Sequence, residues 1–98
     1  MRRRRVGHPS QAEAWDWDAG NEAELAAHGI RPEEVQEVWA SGARFAPNKR
    51  HRPGDWKMMG LTTAGRRLSI VVRYDSGRRT LRPITGWDAT DGERTKYF

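Results

Sequence analysis

The segment Pro47-Asn-Lys-Arg-His-Arg-Pro-Gly-Asp-Trp56 sets Lys49, Arg50, His51 and Arg52 in four consecutive positions. Ammonium and guanidinium groups hold phosphate, an imidazole titrating near neutrality takes or gives a proton, and an indole stacks on a base. An RNA-cleaving site needs those parts. Arg50 and His51 are therefore candidate catalytic groups, with Lys49 and Arg52 as candidate RNA contacts. The same stretch also reads as a solvated basic loop whose Trp56 belongs to the core, and residue types alone do not choose between the two. Lys57, Arg73 and Arg82, on neighbouring predicted strands, either extend the RNA-binding surface or stand as ordinary solvent-facing residues. His28 closes a predicted helix, where an imidazole caps carbonyls, and reads as structural. Among the tryptophans, Trp39 belongs to a core stripe, Trp15 and Trp17 read as anchors of the chain start, and Trp87 is open to either role.

Other chemistries lack their residues. The chain has no cysteine, and its three histidines lack the spacing of a zinc site. Neither a glycine-rich phosphate loop nor a serine nucleophile elbow is present. No metal and no cofactor are expected.

The elements that must position these groups follow from periodicity. Asp18 suits the N-cap of a helix over Ala19 to His28, with Gly29 as its left-handed stop. Pro32 opens a second helix, in which Val35, Val38 and Trp39 fall on one apolar stripe that ends near Ser41-Gly42. The period then changes to alternation, giving strands at 43–47, 55–61, 67–74 and 80–85. Thr62-Thr-Ala-Gly65 and Asp75-Ser-Gly77 are turn-like links, so the strands form an antiparallel meander. Pro83 donates no ladder hydrogen bond, which places the fourth strand at an edge or on a bulge. Thr90-Asp-Gly-Glu93 fits a capping box for a short closing helix. The expectation is one α+β domain over 15–98, with two helices, a four-stranded meander and a C-terminal helix, preceded by a disordered basic arm over 1–14.

Charge is polarised along the chain. The formal net charge is +5 over 98 residues, yet residues 15–40 hold seven acids against Arg31 alone, and residues 41–86 hold eleven bases against Asp55 and Asp75. Acids on the helices and bases on the sheet imply an oriented basic face toward a polyanion. No apolar run approaches the roughly 18 residues of a membrane span, and MRRRRVGHPSQ lacks the apolar stretch of a signal peptide. A soluble cytoplasmic protein with no membrane partner is expected.

The order of motifs resembles the BrnT family, ribonuclease toxins of bacterial type II toxin–antitoxin pairs with a RelE-like fold. Trp17-Asp18, Asn21, His28-Gly29-Ile30, Pro32-Glu-Glu-Val35 and Val38-Trp39 look like the family's opening helices. Arg50-His51, Asp55-Trp56 and Met59-Gly60 are similar to its central segment. Arg82 to Thr85, Ala89-Thr90, Glu93-Arg94 and Tyr97 resemble its closing one. Gly20, Ala27 and Trp87 stand where the family usually carries Lys or Arg. The resemblance implies an endoribonuclease that cuts mRNA, halts translation and is neutralised by a cognate antitoxin protein. It also implies a catalytic role for Tyr97 beside His51 in moving protons. The rival reading is a non-catalytic RNA- or protein-binding module on the same fold, and the residues leave the oligomeric state open.

Overall fold

The computed structural model describes residues 7–48 and 55–98. The expected helices form, for the expected reasons. The Asp18 carboxylate accepts the Asn21 N–H at 2.9 Å, and the Asn21 side chain accepts the Asp18 N–H at 2.9 Å, which starts α1 (Ala19–Ala27). Gly29, at φ +72°, takes the left-handed conformation that ends it. That turn drives Ile30 into the core, where it is 1% exposed. Pro32 then opens α2 (Pro32–Ala40).

The sheet has five strands: β1 (Ala14–Trp15), β2 (Arg44–Pro47), β3 (Asp55–Leu61), β4 (Arg67–Asp75) and β5 (Thr80–Asp88), in the order β1-β5-β4-β3-β2. Strands β2 to β5 are the predicted antiparallel meander. The fifth strand corrects the four-stranded expectation: β1 runs parallel to β5, with Ala14 opposite Thr80 and Trp15 opposite Leu81. Two residues are too few to show alternation, so this pairing left no periodic trace in the sequence. Residues 7–14, assigned to the disordered arm, lie within the described structure. Pro9–Gln11 form a 3-10 turn, Pro9 is buried, and its carbonyl accepts the Trp39 indole N–H at 3.2 Å.

Pro83 lies at a bulge. Val72 faces Pro83 and Val71 faces Thr85, so Ile84 is the extra residue. The Pro83 carbonyl accepts from the Asn21 amide at 3.0 Å. The bulge also reverses the phase of β5. Arg82, Thr85 and Trp87 consequently share the sheet face of Lys57, Met59, Ser69, Val71 and Arg73, although 82 and 87 differ in parity.

The opposite face carries Met58, Leu68, Ile70, Val72 and Leu81, which form one cluster with Leu25, Ile30, Val35 and Val38 of the two N-terminal helices. α3 (Asp91–Tyr97) covers part of the Lys57 face, so the molecule has three layers. Val71 and Met59, both 1% exposed, are buried on that second side.

Candidate functional site

The capping box of α3 does more than start a helix. The Thr90 hydroxyl accepts the Glu93 N–H at 3.2 Å and the Glu93 Oε1 accepts the Thr90 N–H at 2.9 Å, which points the carboxylate back at the sheet. There Glu93 Oε1 also accepts from Ser69 Oγ at 2.9 Å and Trp87 Nε1 at 3.0 Å, and Oε2 accepts from Lys57 Nζ at 2.8 Å. Burial by itself pushes the Glu93 carboxyl up. The bonds from Lys57, Thr90, Trp87 and Ser69 outweigh it and bring the pKa from 4.5 down to about 2.

Beside this junction lies a cavity of about 630 Å³ lined by Asn48, Lys57, Trp87, Glu93, Lys96 and Tyr97. The Lys57 and Lys96 ammonium groups sit 5.8 and 5.4 Å from the centre of the Tyr97 ring. Asn48 is 8% exposed, and its Nδ2 finds no hydrogen-bond partner among the described residues. Two cations and a phenol around one recess can hold an anion and move a proton.

The structure thus brings together Lys57 and Tyr97, which lie 40 positions apart in the sequence. Arg73 and Arg82 stand one row further along the same face, directly opposite one another in register. Both are already engaged. Arg73 Nε bonds to the buried Asp55 carboxylate at 2.9 Å, and Arg82 reaches Asp18 at 2.8 Å and Asp16 at 3.3 Å. The Asn21 N–H and then Arg82 hold the Asp18 carboxyl below its ordinary range. A second cavity, about 410 Å³, adjoins them and is lined by Trp15, Asp16, Arg73, Asp75, Arg78 and Arg82. The expectation that the helical acids stay clear of the basic face is corrected here. Asp16 and Asp18, just ahead of α1, reach Arg82, because that segment runs alongside β5.

Lys49, Arg50, His51 and Arg52 lie outside the described residues. The residues that flank them are placed: the Asn48 N–H donates to the Asp55 carbonyl at 2.9 Å, with Asn48 lining the first cavity and Asp55 holding Arg73. Trp56 takes the core reading. It points to the α1–α2 side of the sheet, with its ring edge-on to those of His8 at 5.0 Å and Phe45 at 6.4 Å. The His28 ring pairs with a side chain rather than with the helix-end carbonyls: its Nε2 lies 3.2 Å from Glu24 one turn back on α1.

Sequence reading missed Asn48, Glu93 and Lys96 as site residues and left Trp87 undecided. Thr90-x-x-Glu93 was legible as a cap, but a cap signal carries no information about which strand residues the carboxylate will meet. Among the described residues no group of His, Asp and Glu is placed to hold a metal ion, and no helix is long and apolar enough to cross a membrane. Comparison with protein-family models and with curated proteins gives no match.

Proposed function

We propose that the chain is a small endoribonuclease of the toxin type, resembling BrnT and of RelE-like arrangement, that cleaves mRNA without a metal and is silenced by a cognate antitoxin protein. The observation that carries this reading is the convergence of Lys57, Lys96 and Tyr97 on one cavity, on a sheet face whose next row holds Arg73 and Arg82. In the reaction, the RNA 2′-oxygen forms a bond to the adjacent phosphorus as it loses its proton. The 5′-oxygen of the next nucleotide leaves and takes a proton, giving a 2′,3′-cyclic phosphate and a 5′-hydroxyl end. Tyr97 and His51 are the groups assigned to those two protons, and the lysines and Arg50 offset the charge that develops on the phosphorane.

The test is incubation of a labelled structured RNA with the protein in EDTA. Wild type is expected to cut it, and Tyr97→Phe to cut at least about 100-fold more slowly. Undiminished cleavage by Tyr97→Phe removes the phenol from the scheme, and His51→Ala asks the same of the imidazole.

A second reading, the non-catalytic binding module, draws support from one observation. Lys57, Arg73 and Arg82 each have a carboxylate partner at 2.8–2.9 Å, which reduces the charge free to stabilise a transition state. That reading expects salt-sensitive retention of intact RNA in the same assay.

A further inference from the structure

We infer that the cavity between β3, β5 and α3 is a recognition subsite for adenine in a nucleotide, an inference that rests on RNA being the substrate. Its volume of about 630 Å³ falls in the range of pockets that hold small ligands, roughly 300–1,000 Å³.

Two aromatic rings line it. The Trp87 indole is pinned by its 3.0 Å bond to Glu93, and the Tyr97 ring has two ammonium groups 5.4 and 5.8 Å from its centre. Such rings offer stacking surface to any base, and a purine covers more of it than a pyrimidine.

Choice among bases then falls to the polar groups. Asn48 is more than nine-tenths buried, and its amide donor has no partner among the described residues. The terminal torsion of an Asn is soft, so a small rotation turns the amide toward the cavity it already lines. One donor beside one acceptor is the complement of adenine N7 and N6. Guanine presents two acceptors on that edge; an amide can pair instead with its O6 and N1–H, but the adjacent N2–H2 then needs a further acceptor. Glu93 is a poor source of one, because Oε1 already accepts from Ser69, Trp87 and Thr90 and Oε2 holds the Lys57 ammonium at 2.8 Å. Cytosine and uracil each offer a similar donor and acceptor on a smaller ring, which makes them the nearest competitors. Lys96 is exposed and has no carboxylate within 4.0 Å among the described residues, so it meets the phosphate.

The experiment is calorimetric titration of the full chain with 5′-AMP, GMP, CMP and UMP, and with the AMP analogue in which carbon replaces N7. AMP is expected to bind at least 5-fold tighter than the other three nucleotides and than the analogue. Asn48→Asp, which keeps shape and removes the donor, is expected to abolish that preference. Lys96→Ala is expected to weaken all the nucleotides alike and keep their order. Equal binding of AMP and its N7-less analogue overturns the assignment with no variant involved, as does an AMP preference that survives in a folded Asn48→Asp protein. RNA cleavage with no base preference and no AMP preference removes the subsite and leaves the nuclease. AMP preference over uncut RNA removes the nuclease and leaves the subsite.

Discussion

At the scale of single residues, Glu93 links the most parts of the site. Its side chain is 11% exposed, and it accepts from β3, β4, β5 and its own helix start. A carboxylate with a folded pKa of about 2 against an ordinary 4.5 contributes stability that is complete above about pH 4.5 and lost as pH falls through about 2. The size of that contribution is at most about 3 kcal/mol. Glu93→Gln keeps the shape but not the charge, and leaves Lys57 without its partner. It is expected to cost about 2 kcal/mol at neutral pH and to flatten the loss of stability between pH 4.5 and 2. Urea denaturation at several pH values reads both. An unchanged acid limb in the variant means that other carboxylates set the acid sensitivity.

At the scale of elements, the close approach of helices to sheet depends on glycine. A Cβ at Gly86 falls 2.7 Å from Ile70 Cδ1, 3.0 Å from the Ser69 carbonyl oxygen and 3.2 Å from Ile30 Cδ1. The side chains can shift, but the Ser69 carbonyl belongs to the β4 ladder. Gly86→Ala is therefore expected to cost about 2 kcal/mol, a fall in Tm of about 8–16 °C for a domain of this size. At Gly92, in the first turn of α3, nothing lies within 4 Å of the added Cβ. Gly92→Ala is expected to be neutral or to stabilise by up to about 1 kcal/mol. Calorimetry on the pair separates packing from propensity, and equal Tm values would show that the sheet yields at Gly86. The same local signals explain what was legible in the sequence. Asp18, Gly29, Pro32 and Thr90 mark their helix boundaries by chemistry that acts within four residues, so those boundaries can be read directly. The strand β1 and the place of Glu93 rest on contacts across 66 and 24 positions, such as Glu13 with Arg79 and Glu93 with Ser69, which no local pattern records. The bulge was half legible. Pro83 announced an irregularity, but not that it would turn Arg82 and Trp87 to one face.

At the scale of the whole molecule, the +5 net charge overstates what the Lys57 face can offer a polyanion. Arg82 is the clearest case, since Asp16 and Asp18 both reach it and both are about half exposed. As exposed pairs they add little stability. Their larger effect is to lower the local potential beside the Arg73–Arg82 row. Replacing both acids by Asn tests this without dismantling α1, because Asn at position 18 remains a good N-cap. The double variant Asp16→Asn, Asp18→Asn is expected to fold with nearly unchanged Tm and to bind RNA more tightly. The slope of log affinity against log salt is expected to steepen by about one contact, as Arg82 becomes available to a phosphate. Arg82→Ala in the native background is expected to change that slope by less, since its charge is already met within the protein. The pair of slopes, measured by gel retardation from low to moderate salt, decides the point. A larger loss from Arg82→Ala than gain from the Asn variant would mean that the phosphate displaces the two carboxylates on its own, and that the acidic segment leaves the basic face open.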